Sequence, residues 1–540
     1  LNLTLVIVFI KRIILKLKVF ISFVVLASIA SATFLISWKD KPLNLVQSES
    51  TAINLYLDSK TTFQYIDNFG ASDAWSVQFV GRNWPLSKRE KIADLLFSTE
   101  NDSSANPKGI GLSLWRFNLG AGSAEQGDES GIKDEWRRAE SFYGEGDTYD
   151  WDKHQGQVWF ANAAKQRGVK DLLLFSNSPP VKFTRNNKAY TSNKNRSNLR
   201  AKNYSDFAKY LADVAQQLEK NGLKVNYISP VNEPQWDWAD GGQEGTPFWN
   251  HEISDLVRAL DYELESRNLD NTFIDIAETA QINYLTESGN KTGRGDVINS
   301  FFDNSSENYL GHLAHVNPAV SAHSYFTTSP FKNMVKQRQD LGDAIAEVSD
   351  LHFWMSEYCI LGDNNGEING NGRDLGMDSA LYMAQVIHSD LVFANASAWH
   401  WWTAISAYDY KDGLVYIDKN KYDGNFYESK MLWALGNYSR FIRPGYQRVA
   451  LKGFEQDILN EDFVYSAYKS PDDSRTVLVF INSALENKII NLNFEEEVKP
   501  FTVESYVTSE GSDLEKIQLF KHEELRIPSR SVTTIILNTE

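Results

Sequence analysis

From about Phe69 onward the chain alternates short apolar runs of strand character with amphipathic segments of helical period. The strand-like runs end near Gly70, Asn118, Phe175, Asn232, Ile276, His323, Ser356 and Trp402. Between them, Ser87–Ser98 opens on a serine cap and carries Ile92, Leu95 and Leu96 on one face. Asn203–Leu218 sets Phe207, Tyr210, Leu211, Val214 and Leu218 at helical spacing, and His251–Arg267, Met334–Val348, Met377–Phe393 and Ser429–Phe441 repeat the pattern. Parallel strands need long crossovers, and helices supply them. Eight such units predict an α/β fold, a (β/α)8 TIM barrel.

The pattern changes after Arg443-Pro444-Gly445. Runs such as Phe463–Tyr468, Thr476–Ile481 and Val532–Leu537 alternate between polar and apolar residues, and turn clusters at Pro471-Asp472-Asp473 and Gly511-Ser512-Asp513 separate them. This predicts a C-terminal β-sandwich over 443–540 attached to a barrel over 68–442. Residues 52–67 also alternate and are expected to add an N-terminal strand to that sandwich. At the front, a basic stretch, Lys11–Lys18, precedes the apolar Val19–Ser37, which contains Ala30-Ser31-Ala32. Residues 1–37 therefore read as a signal peptide cut after Ala32 or as an uncleaved membrane anchor, with 38–51 a linker. The first residue is not Met and residues 1–10 are apolar, which suggests a non-standard start codon or a misplaced gene boundary. Either way the bulk of the chain is expected outside the cytoplasm, periplasmic, at the cell surface or secreted.

A net charge of −17 argues against nucleic acid as a partner, since phosphate binding needs clustered Lys and Arg. It also weighs against polyanionic substrates at long range and leaves neutral glycans open. The aromatic share is 13%, with 15 Trp and 24 Tyr, enough to line a sugar cleft after the core has taken most of them. Cys359 is the sole cysteine, so no disulfide or cysteine metal cluster forms within one chain, and it is expected to be a small buried residue. Neither His352 nor His400 has a partner at metal-ligand spacing, so neither a metal nor any other cofactor is expected. No protein partner is implied.

Two segments carry the chemistry: Ser229-Pro230-Val231-Asn232-Glu233-Pro234 and Trp354-Met355-Ser356-Glu357-Tyr358. Each is a strand-like run closed by a glutamate, the place where α/β barrels put their chemistry. Two facing carboxylates are the minimum apparatus for cleaving a glycosidic bond. Asp275 and Glu278 near the fifth strand could imitate the pattern as structural salt-bridge acids.

With Phe69–Trp75, Trp115–Gly122, Ser176–Pro180 and His323-Ser324-Tyr325, these segments resemble glycoside hydrolase family 30, from about Asn68 to the C-terminus. The resemblance implies a retaining enzyme with Glu233 as acid/base and Glu357 as nucleophile. It also implies a substrate-binding set of Asp73, Trp75, Arg116, Asn118, Asn177, Asn232, Trp236, His323, Tyr325 and Trp402, with no metal ligand. Within that set Asn232 would bond the sugar 2-OH, Arg116 would orient Glu357, Tyr325 would donate to it, and Trp402 or Trp399 would floor the sugar. Strand alternation puts Trp399 and Trp401 on one face and His400 and Trp402 on the other, without saying which faces inward. The loops Glu135–Phe142 and Gln235–Gly245 resemble the endo-β-1,6-galactanase branch. The alternatives are β-1,6-glucanase, xylanase or glucosylceramidase-like activity, a transglycosylase, and a glycan-binding protein without turnover.

Overall fold

The structure, a computed structural model, describes residues 52–453, 460–494, 502–521 and 524–539. The segment expected to direct export lies outside them.

Eight parallel strands close a barrel in chain order: β2 (Asn68–Ser72), β3 (Leu114–Asn118), β4 (Asp171–Phe175), β5 (Tyr227–Ser229), β6 (Phe273–Thr279), β7 (Val316–His323), β8 (His352–Tyr358) and β9 (Ala396–Trp401). Asn68 of β2 pairs with Ala398 of β9 to complete the ring. Every residue of β2, β3 and β9 is buried, as strands covered on both faces must be. Alternation along β3 shows the two environments. Trp115 packs outward on Phe97 and Phe160, residues of two surrounding helices. Arg116 is fully buried and forms ion pairs with Glu278 of β6 and Glu357 of β8.

The expected helices form, with shifted ends: Leu86–Phe97, Tyr204–Lys220, Asn250–Ser266, Phe331–Ala346, Met377–Phe393 and Lys430–Ser439. Ser87 does not cap the first of these. Pro85 stands at the N-cap, so Ser87 falls inside the first turn. Ser429 does cap its helix, accepting from the Leu432 N–H. The strand expected to end near Ile276 runs on to Thr279.

The second domain is one continuous sheet of ten strands. Its strand β1 (Ile53–Tyr65) lies between the strand Gln447–Gly453, to which it is antiparallel, and the strand Lys488–Phe494, to which it is parallel. The N-terminal strand is thus built into the C-terminal sheet. On one face Leu55, Phe463, Leu478, Phe480, Ile490 and Ile535 share a core of their own. On the other, Val477, Val479, Ile481 and Ile536 join the barrel core. The helices Met377–Phe393 and Lys430–Ser439 lie against that second face. No helix among the described residues is long and apolar enough to cross a membrane.

Candidate active site

Strand β5 is only three residues long, and the chain leaves it through Pro230 before reaching Glu233. Glu233 sits in the left-handed region at φ 45°, a conformation unfavourable for any residue but glycine. Its N–H donates to the Glu278 carbonyl at 2.8 Å, and its own carbonyl accepts from Trp236 N–H and Trp238 Nε1. The strained backbone is therefore held from both sides. Glu357 is the penultimate residue of β8. A carboxylate oxygen of Glu233, one of Glu357 and a ring nitrogen of His323 lie within 4.8 Å of one another.

Beneath the two glutamates the barrel is filled by charge. Arg116 donates through Nη1 to Glu357 at 3.1 Å and through Nη2 to Glu278 at 3.0 Å, its guanidinium 4.4 Å from the Phe175 ring centroid. His323 joins Glu233 through Nδ1 and Glu278 through Nε2, each at 2.9 Å. Ser356 Oγ donates to Glu278 at 2.6 Å, and the Tyr325 hydroxyl donates to Glu357 at 3.0 Å. Deeper still, Ser229 and Ser321 each donate to Asp275 at 2.8 Å.

These contacts set the protonation states. Burial alone would drive His323 to neutrality, but the charge of Glu357 and the bonds to Glu233 and Glu278 outweigh it and raise its pKa to about 10. Burial also opposes charge on Glu278, yet Arg116 and His323 hold it well below the usual carboxylate range. Glu233 moves the other way. Burial and the neighbouring Glu357 raise it against the pull of His323, as a proton donor requires. Asp275 is pushed to about 7, by burial first and the charge of Glu278 second.

Above this floor opens a cleft of about 540 Å3. Seven of the sequence-derived residues line it: Trp75, Asn232, Glu233, Trp236, Tyr325, Glu357 and Trp402. The ambiguity at β9 is resolved. Trp399 Nε1 donates to Asp390 of the helix outside the barrel and Trp401 Nε1 to the Asp412 carbonyl, while Trp402 reaches the cleft and meets Trp75 edge-on at 5.2 Å. His400 points inward to Asn68.

A family profile described as O-Glycosyl hydrolase family 30 matches residues 52–416. The chain belongs to that family. This family 30 chain is 24% identical to endo-β-1,6-galactanase of Hypocrea rufa over 408 residues, 72% of this chain and 76% of that one. It is 27% identical to glucuronoxylanase XynC of Bacillus subtilis (strain 168) over 347 residues, 63% and 68% of the two. Among solved structures, a conserved exported protein from Bacteroides fragilis superposes with a TM-score of 0.82 at 34% identity, over 89% of this chain and 100% of that one. The protein is an O-glycosyl hydrolase and its substrate is a glycan, as the sequence resemblance implied.

Five other members of the sequence-derived set lie outside the cleft lining of this family 30 barrel. Arg116 and His323 form its ionic floor. Asp73 accepts from the Asn118 N–H and from Gln157, and Asn177 reaches the Asn118 side chain at 3.4 Å. Sequence reasoning passed over Phe326, Tyr408, Tyr410, Asp409 and Asp412, which the cleft brings in from the loops after β7 and β9. They stand in irregular chain, where no periodicity marks them. The oxygens of Glu233 and Glu357 and a His323 nitrogen are close enough to hold a metal ion. An imidazolium with both nitrogens donating has no lone pair to give, so this donor set does not suit one. Cys359 is buried, and burial lifts its thiol well above its ordinary value, which keeps it unreactive.

Proposed function

We propose that this chain is a retaining glycosidase that cuts β-1,6-linked galactan internally. The observation that carries the mechanism is the approach of Glu233 and Glu357 to within 4.8 Å, oxygen to oxygen. Retaining enzymes hold their carboxyls about 5–5.5 Å apart, whereas inverting ones need about 6.5–9.5 Å for an intervening water. In the first step a Glu357 oxygen bonds to the anomeric carbon, the glycosidic C–O bond breaks, and Glu233 gives its proton to the departing oxygen. In the second, Glu233 takes a proton from water, the water oxygen bonds to the anomeric carbon, and Glu357 leaves. Once Glu357 is esterified its charge no longer raises the pKa of Glu233, so the same group changes from acid to base. Arg116 bonds Glu357 and His323 bonds Glu233 and Glu278, which hold the two carboxyls in position. Asn232, whose Oδ1 is without a partner among the described residues, stands beside Glu233 for the sugar 2-OH.

The galactan reading draws on the Hypocrea rufa relative, on Arg137 and Gln243 in the cleft from the two loops that resemble that branch, and on the net charge of −17. Export is proposed from the basic and apolar segment 11–37 and the Ala30-Ser31-Ala32 site. Sequencing the N-terminus of protein recovered outside the cytoplasm tests it, and an intact residue 1 there would refute cleavage.

The mechanism is tested by Glu357→Ala, which should abolish turnover, with azide restoring it to give a product of inverted configuration. Glu233→Ala should keep activity only on substrates with good leaving groups. Wild-type rates in Glu357→Ala would sink the assignment. Turnover of β-1,6-glucan or xylan, with β-1,6-galactan untouched, would end the galactan reading and leave the two glutamates standing.

A further inference from the structure

Loops after β2, β3 and β9 build one wall of the cleft, where Trp75 meets Trp402 at 5.2 Å and Tyr408 at 6.0 Å. Two polar groups on this wall have no task in the mechanism. Arg137 lays its guanidinium 4.8 Å from the Trp75 ring centroid and 5.1 Å from that of Tyr408. No carboxylate among the described residues forms an ion pair with it. The nearby acid, Asp134, is already engaged by the Trp136 N–H, the Tyr408 hydroxyl and Lys419. The Tyr408 and Lys419 contacts tie the loop after β3 to the chain beyond β9, and Arg137 itself donates to the Tyr408 hydroxyl, so its guanidinium is held at the wall with no carboxylate among the described residues to take its remaining donors. Asp412 also lines the cleft, is 6% exposed, and has an Oδ1 with no hydrogen-bond partner among the described residues. A buried carboxylate oxygen left without a donor is costly unless a ligand supplies one.

The deficits are complementary, donors on Arg137 and an acceptor on Asp412. A sugar offers both through each hydroxyl. We propose that Arg137 and Asp412 read hydroxyls of one sugar unit against the Trp75–Trp402 wall, and that the pair selects a neutral sugar there over one bearing a carboxylate. A uronate at this place would gain one guanidinium but face Asp412, Asp409 and the catalytic glutamates in the same cleft. The inference rests on the reading of the cleft as the glycan site and deepens it.

The test measures dissociation constants for matched pairs, D-galactose with D-galacturonate and D-glucose with D-glucuronate, on wild type, Asp412→Asn and Arg137→Met. Wild type should bind the neutral member of its preferred pair more tightly. Asp412→Asn should narrow that preference at least about tenfold, and Arg137→Met should widen it, because one substitution removes the repulsion and the other the attraction. A merely structural loss would weaken both members of a pair together. On the neutral glycan that wild type cleaves best, each variant should lower kcat/KM about tenfold or more. The double variant should fall little below the worse single, as two groups on one sugar require. A preference that does not move, one that moves the same way in both variants, or tighter binding of the uronate by wild type overturns the proposal. Preference for glucose over galactose would instead count against the galactan reading and leave the pair intact.

Discussion

The barrel mouth and the ten-strand sheet bury their interiors in opposite ways. In the sheet, alternate residues such as Leu478 and Phe480 fill an apolar core while Val477 and Val479 pack on the barrel. Each such side chain gains by leaving water, and neighbours of similar volume could replace it. At the mouth the corresponding places hold Arg116, Glu278, His323 and Glu357, all buried, each useful only because the others are present. Removing one partner there leaves an uncompensated charge, not a cavity. Stability in the sheet is therefore spread over many contacts, whereas at the mouth it is conditional on a few.

The sharpest way to break this comparison is Arg116→Met, which strands Glu278 and Glu357 together. It should cost about 3–5 kcal/mol in denaturant unfolding and lower kcat about 10³-fold. Near-normal stability would show that the floor is not coupled as its geometry implies. Phe480→Ala in the sheet should cost a similar ~3–5 kcal/mol, yet leave kcat at the wild-type value under native conditions. A fall in kcat would mean that the sheet reaches the site.

The pH response separates the two regions further. His323 is raised from 6.5 to about 10, so the stability it contributes is fully present below about pH 6.5 and lost as pH climbs through 10. Melting temperatures of wild type and His323→Asn should differ most at pH 6 and converge toward pH 10. A gap that widens with pH would contradict a protonated His323. The smallest effect is expected at Glu244, a buried carboxylate accepting from the Ala121 N–H, the Ser123 N–H and the Ser123 hydroxyl. It ties the loop carrying Gln243 to the loop after β3. Glu244→Gln should cost about 1–2 kcal/mol and show chiefly as a raised KM on oligosaccharides. An unchanged KM would detach this tie from the cleft.

Much of the fold was legible because period governs it. Eight βα units, the change of pattern after Arg443 and the alternating strand after Ala52 all follow from where apolar residues recur. Glu233 and Glu357 were legible because each closes a strand-like run. Their partners were harder to read. Asp275 and Glu278 stood in the sequence as ordinary salt-bridge acids, and nothing local tells that Glu278 binds Arg116, His323 and Ser356 from three other strands. Trp399 and Trp402 were equivalent until Asp390 drew the former outward. Asp412 and Tyr408 had no signal at all, since a loop residue is placed by contacts distant in sequence.

The place of β1 bears on how the chain is made. It is synthesised before any barrel strand, yet both its neighbours, Gln447–Gly453 and Lys488–Phe494, come after the whole barrel. Through nearly the entire course of synthesis it must wait with both edges open, and the long loops it closes make that pairing slow. A ribosome that stops after the barrel, or a protease that removes the chain from Gln447 onward, would leave a finished barrel trailing an orphan strand. Such a strand is a template for pairing with another copy. Quality control of this protein would therefore bear on strands made after the barrel, far from the cleft that holds Glu233 and Glu357.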